Sequence, residues 1–420
     1  MTVAEAFNIF LIGLQYDAWP AVLHILVTVA PIFLAVILFA IMWDLWVQYV
    51  RAKFFFSLER TVIELKLPKD TFKSPLAMEI FLNSLHNTAD GNTFVQYWKG
   101  ETRPWYSLEL VSIEGTVKFF IWTETRRKAG LISALYSQFP EIEIREVEDY
   151  AKSVHFDPDV TRIWACEFKF SKDDPYPIKT YIDYGLDKDP KEEFKIDPMT
   201  PLIEFLGSVP TNSQVWIQIM VMAHKKKIKP GHFFKTADLW EDKAKKLVNE
   251  LMIRDEKTKV SGTENKSGFL VSPKLSKGEE EVITALERSI TKHPFDVGIR
   301  ALYIAPKKSF DTPFGLGGII SSFKHFSTTQ LNGFKTMNWH VNLDYPWQDF
   351  NNMRRNRFGK LALLAYKYRS YFFEPFKDKP MVMNSEELAT IYHFPGSVAA
   401  TPALERVPSK KAQAPANLPV

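Results

Sequence analysis

Residues 18–43, AWPAVLHILVTVAPIFLAVILFAIMW, hold no ionisable side chain except His24. About 20 mostly apolar residues in a helix cross a hydrocarbon core roughly 30 Å thick. This stretch is long enough to cross with some tilt, and the rest of the chain has to be arranged around it.

Its ends carry the amphipathic rings that prefer the headgroup level. Tyr16 and Trp19 stand on one side and Trp43, Trp46 and Tyr49 on the other, and Asp17 and Asp44 bracket the whole. Trp19, Trp43 and Trp46 are therefore the expected interface anchors. Pro20 suits a first helical turn, and Pro31 predicts a kink in mid-span. His24, near a helix end, reads as an interfacial residue.

Residues 1–17 contain Glu5 and Asp17 but no Lys or Arg, whereas Arg51, Lys53, Arg60 and Lys66 follow the apolar run. The positive-inside rule then places the N-terminus outside and the C-terminal bulk in the cytoplasm, with the chain crossing an inner membrane once. No basic n-region precedes the apolar stretch and no A-x-A-like site closes it, so an uncleaved anchor is expected. Residues 44–59 continue at helical spacing as a juxtamembrane helix.

The remaining residues of the 420 leave room for two or three domains, and 46% hydrophobic content can fill real cores. A net charge of +4 identifies no nucleic-acid binder without a local patch. The single cysteine, Cys166, excludes an intrachain disulfide and a Cys-rich zinc site. It sits on an apolar strand and reads as core.

Alternation predicts a strand at 60–67, with Ile63, Leu65 and Leu67 on one face. Ser74-Pro75 opens a helix; 105–113 and 117–122 form a hairpin about Glu114-Gly115; 126–137 is helical and 141–148 returns as a strand. This βαββαβ order predicts a ferredoxin-like module over 60–150. Residues 151–311 give a second, less regular α+β module: strands at 163–170, 215–221 and 295–305, and helices from Thr200 and from the Ser276/Glu279 capping box. Its insertion carries a helix at 236–253 and a polar, mobile loop at 254–275. A mostly helical region at 312–395 and a disordered Pro/Ala-rich tail at 396–420 complete an α+β chain of two ferredoxin-like modules behind a membrane helix.

Several chemistries lack their residues. No stretch matches G-x-x-x-x-G-K-[ST], and Gly315-Leu316-Gly317 has Ile320 where a dinucleotide fingerprint needs its third glycine. That glycine pair reads as loosening a loop before a helix. There is no G-x-S-x-G elbow and no metal-ligand spacing among the His residues. No cofactor, metal or catalytic residue is expected.

Two basic clusters remain. Lys225, Lys226, Lys227 and Lys229 follow a buried strand and suit nucleic-acid or anionic-lipid phosphate, although a solvated loop would read the same. Arg354, Arg355, Arg357 and Lys360, continuing to Lys367 and Arg369, interleave with Phe350, Phe358, Tyr366, Tyr368 and Tyr371. Arginine among aromatic rings tracks single strands, and it also describes a helix with one packed and one charged face.

The segments KLPKDTFKSPLAMEIFLNSLH, SKGEEEVITALERSITKHPFDVGIRALYIA, NSEELATIYHFPGS and TPALERV together resemble the membrane-anchored N-terminal region of type IV secretion and conjugation-type DNA-translocating ATPases of reduced-genome candidate-phylum bacteria. In relatives with the motor, the part matching 385–420 leads into a P-loop ATPase domain of coupling-protein or HerA-like type. Here the sequence stops at that point, so the resemblance implies a separately encoded ATPase partner and carries over no ATPase residues. It makes the chain a non-catalytic docking component, with Glu386, Leu388, Ile391 and Tyr392 and the tail as the partner contact. A membrane-anchored nucleic-acid-binding module is the alternative, and a homo-oligomer stays open.

Overall fold

A computed structural model describes residues 5, 18–68, 73–89, 91–188, 196–228, 236–237, 239–252, 275–337, 345, 347–396 and 406–407. The side chains of 18–28, 227–228, 236–237 and 406–407 fall outside that description, as do all but the last residue of the expected mobile loop at 254–275, residues 1–4 and 6–17, and most of the tail. The chain divides into two units, Met1–Ser57 with Asp90–Thr102, and Leu58–Ala89 with Arg103–Val420.

The first unit is built on α1 (Ala18–Ser57). The expected anchor and juxtamembrane helices are one element, and helix continues through Pro31. Its described part holds an 18-residue window of mean hydropathy 2.2, none of it buried, so this is a helix long and apolar enough to span a membrane. Residues 90–102 contribute a π-helical turn, Val95–Lys99, which lies on α1. Gly100 closes it at φ +73°, where a Cβ would stand 2.4 Å from the Val50 carbonyl oxygen; only glycine allows that approach.

The second unit begins with β1 (Arg60–Pro68), α2 (Pro75–Ser84), β2 (Trp105–Ile113), β3 (Thr116–Glu124), α3 (Lys128–Gln138) and β4 (Glu143–Val147). Ser74 caps α2 with Pro75 at its start, and β2 and β3 are joined by the predicted Glu114-Gly115 turn, with φ +53° and +84°. It continues through α4 (Tyr150–Ser153), β5 (Thr161–Phe170), α5 (Thr200–Gly207), β6 (Gln214–Ala223), the short pair β7 (Lys227–Ile228) and β8 (Thr236–Ala237), α6 (Leu239–Leu251), α7 (Lys277–Ile290) and β9 (Pro294–Pro306). The Ser276/Glu279 capping box at α7 is formed. Last come α8 (Gly318–Lys324), β10 (Phe334–Met337), α9 (Met353–Lys367), β11 (Met381–Asn384), α10 (Ser385–Ile391) and β12 (Arg406–Val407).

Ten of these strands form one sheet, in the order β10-β5-β9-β6-β2-β3-β1-β12, with β4 also on β1 and β11 also on β9. Every pairing is antiparallel except β1 with β12. Chain order 4-1-3-2 therefore occurs twice, as β4-β1-β3-β2 and as β10-β5-β9-β6, and the halves meet through β2 and β6. The sheet is continuous across residue 150, where the two expected modules adjoin, and β10 lies within the stretch read as mostly helical. Four residues of alternation, FKTM, were too short a signal. The tail, read as wholly without structure, places two residues beside β1.

One face of the sheet is apolar. Ile63, Leu108, Leu110, Cys166, Ile217 and Ile299 meet Phe81, Leu135, Ile203, Phe323 and Leu388 from the helices above in one core. Gly315 belongs to that packing and does not loosen a loop: a Cβ there would sit 2.2 Å from the Tyr303 ring. The opposite face carries α9, packed chiefly on β5.

Candidate functional site

Registers on the α9 face align a row of polar side chains across the sheet. Glu109 opposes Gln218, Gln218 opposes Arg300, and Arg300 opposes Glu167. All four are buried. A charged group in that position needs a partner, because desolvation of an unpaired ion costs several kcal/mol. Arg300 donates Nε and Nη2 to Glu167 Oε1 at 3.0 and 2.6 Å and Nη1 to Gln218 at 3.3 Å. Arg369, beyond the end of α9, reaches Glu109 at 2.9 and 3.2 Å and Asp149 at 2.6 and 2.9 Å. Burial opposes its charge, but the two carboxylates outweigh burial and hold its pKa well above the ordinary value. Tyr150 donates to Glu109 at 2.7 Å and lies 2.6 Å from Tyr366; burial, then Glu109, pushes both phenols far up. This network ties α9 and the following segment to the sheet, and its side chains answer one another.

A second network surrounds the start of α10. Asn384 and Glu387 form a capping box, and Glu387 also accepts from the Ile178 backbone N–H at 2.9 Å. Burial lifts Glu387 to about 8 against those two backbone donors. Glu386 is raised by burial, opposed by Thr180, Arg288 and Lys292. Glu79 accepts from Tyr181 and Lys292, both at 2.7 Å. Nearby, a groove of about 700 Å³ is lined by Lys179, Asp183, Lys277, Glu280, Glu281 and Arg288, a balanced set of charges.

These positions correct the expected partner contact. Glu386, Leu388, Ile391 and Tyr392 are all buried, and Tyr392 stacks edge-on to Phe119 and donates to the Phe120 carbonyl at 3.3 Å. A short amphipathic helix has the same periodicity whether its apolar stripe meets a partner or its own core.

The exposed surface lies before and along the first turns of α9. Trp347 is 76% exposed, Phe350 82% and Met353 67%, and Tyr345 stacks on Trp347 at 4.7 Å. Asn351 and Asn352 are both left-handed, turning the chain into the helix. Asp349 then accepts the backbone N–H groups of Arg354 at 2.7 Å and Arg355 at 3.3 Å. Arg354, Arg357 and Lys360 are exposed and Arg355 half-buried. Burial, then the nearby charge of Arg355, pulls Arg162 below its ordinary value, opposed by Asp349. Arg369, Tyr366 and Tyr371, read from sequence as part of this patch, are instead fully buried.

Of the lysine cluster, Lys225 and Lys226 are exposed beyond β6, and Lys226 lies 3.4 Å from Glu241. The Lys227 side chain and all of Lys229 lie outside the described residues. Ala223 pairs with Phe295 and Arg162 with Ala305, at opposite ends of β9. At about 3.3 Å per residue those two ends of β9, beside which the described members of the two basic clusters lie, are roughly 30 Å apart. Beside the lysines, Asp296 holds His224 at 2.6 Å and Arg103 at 3.4 Å, and His86 stacks on His293 at 4.8 Å. Among the described residues no group of three His, Cys, Asp or Glu is arranged to hold a metal. Cys166 is buried, its thiol pushed up by burial and by Glu167.

Of the interface anchors, Trp46 is exposed and Trp43 half-buried, while the side chain of Trp19 lies outside the described residues. No curated protein matches the sequence. A family model, described as a domain of unknown function, DUF8128, matches residues 56–406, which is most of the chain after the apolar helix. The chain belongs to the DUF8128 family.

Proposed function

We propose that this protein is a non-catalytic, membrane-anchored docking component that holds a P-loop ATPase of a type IV secretion or conjugation-like machine at the cytoplasmic face of the inner membrane. The observation that carries the reading is α1, whose apolar window is wholly exposed within the protein and calls for lipid around it. The excess of Lys and Arg after the helix favours a cytoplasmic C-terminal bulk. The repeated 4-1-3-2 order supports reading each half of the sheet as a ferredoxin-like module. With α10 internal, docking falls to the aromatic turn around Trp347, Phe350 and Met353. Purification of the full chain in mild detergent, followed by mass spectrometry, tests this. Recovery of a P-loop translocase subunit that is lost on Trp347→Ala/Phe350→Ala supports it; recovery of no ATPase rejects it.

A second reading, nucleic-acid binding, is favoured by the exposure of Arg354, Arg357 and Lys360 beside those rings. Single strands use this combination of stacking and phosphate contact. Titration of the chain with labelled single-stranded DNA at rising salt separates it from the first reading.

A further inference from the structure

We propose that the π-helical turn Val95–Lys99 is a second membrane-contacting element, seated in the headgroup layer beside the end of α1. The inference rests on α1 spanning the bilayer. From residue 18 to 43 the helix is about 39 Å long at 1.5 Å per residue, more than the hydrocarbon thickness of about 30 Å. Trp43 and Trp46 then stand at the boundary, just past the exposed run from Ile32 to Met42.

The turn is packed against those two rings. Trp98 lies 6.3 Å from Trp43 and 5.7 Å from Trp46 between centroids, and Tyr97 lies 5.9 Å from Trp43. Whatever layer holds Trp43 and Trp46 also holds Tyr97 and Trp98. Yet the turn leaves its apolar side open: Phe94 is 60% exposed and Trp98 52%, and the two stack on each other at 6.3 Å. Indole and phenol rings with one apolar and one wet end concentrate at membrane interfaces, and exposed Lys99 can carry its ammonium outward on an apolar stem.

The turn is fixed, not draped. Asn92 Oδ1 accepts the Val95 N–H at 2.9 Å, Gln96 donates its amide to the Gly91 carbonyl at 3.1 Å, and Gly100 brings the chain onto the Val50 backbone. Lipid is the occupant that this surface fits, because the exposed rings continue the apolar surface of α1.

The test uses the full chain in lipid nanodiscs with Cys166→Ala and one new cysteine carrying a nitroxide, at Ile37→Cys, Phe94→Cys or Lys246→Cys. Collisional relaxation by oxygen and by a water-soluble nickel chelate reports each environment. The expected result is oxygen-dominated relaxation at position 37, nickel-dominated relaxation at 246 and an oxygen-to-nickel ratio between those two at 94. A ratio at 94 equal to that at 246, with oxygen-dominated relaxation at 37, overturns the proposal and leaves the span standing; a nickel-dominated result at 37 removes the span and the proposal with it. Should Phe94→Cys disturb the turn, quenching of tryptophan emission by lipids brominated near the carbonyls decides: Trp98→Phe is expected to lower the quenched fraction, and an unchanged fraction overturns the proposal.

Discussion

Arg369 Nε lies 2.9 Å from Glu109 Oε1 across 260 positions of sequence, with both side chains removed from solvent. Removing one partner of a buried pair strands the other charge, at a cost of about 3–5 kcal/mol. Arg369→Met is expected to lower unfolding free energy by that amount, measured by urea denaturation in detergent. Arg369→Met with Glu109→Met and Asp149→Leu should recover much of the loss. Equal costs for the single and triple variants would show that the loss does not come from stranding the two carboxylates.

Leu388 separates the core reading of α10 from the surface reading. It is fully buried, so Leu388→Ala is expected to cost about 2–5 kcal/mol in the same assay. A change within about 0.5 kcal/mol, the usual range for surface positions, would return α10 to the list of docking surfaces.

Glu387 gives stability a pH dependence of definite sign. Its folded pKa of about 8 exceeds the unfolded value near 4.5, so the folded state holds the extra proton between them. Stability from this group is full below about pH 4.5 and declines as pH rises towards 8, with a slope of at most about 1.4 kcal/mol per pH unit. Glu387→Gln should flatten the profile over that window. A wild-type profile rising from pH 5 to 8, together with an unaltered slope in the variant, would contradict the assignment.

Arg354→Ala/Arg357→Ala/Lys360→Ala is expected to leave thermal stability within about 0.5 kcal/mol, because these side chains are exposed. If the chain binds single-stranded DNA there, loss of three phosphate contacts reduces the log–log salt slope by about 2. An unchanged slope with measurable binding would put the strand elsewhere.

Local features were legible because local chemistry makes them. Ser74-Pro75, the Ser276/Glu279 box and Glu114-Gly115 each form where they were read, and β1 to β6 and β9 fall within a few residues of the strands expected there. The union of the halves was not legible, since β2 and β6 are buried along both faces and nothing in either names its neighbour. The same limit explains Arg369. In sequence it continues a basic run, and its partners lie on β2 and before α4. The available signal was Glu109 in WYSLELVSI, a charge in the middle of an otherwise buried strand, which demands a distant counter-ion. Trp347 and Met353 gave no periodic signal, because the turn that exposes them is irregular.

The pairing of β2 with β6 along nine residues, Trp105 to Ile113, sets how the protein can be dissected. Cutting the chain near residue 155 would give each fragment a complete set of four strands, yet leave each with a long edge whose backbone groups have lost their acceptors and donors. Such edges recruit other chains. In detergent the fragments should therefore aggregate when expressed singly and stay dispersed when expressed together, which makes the two halves interdependent through synthesis as well as in the finished fold.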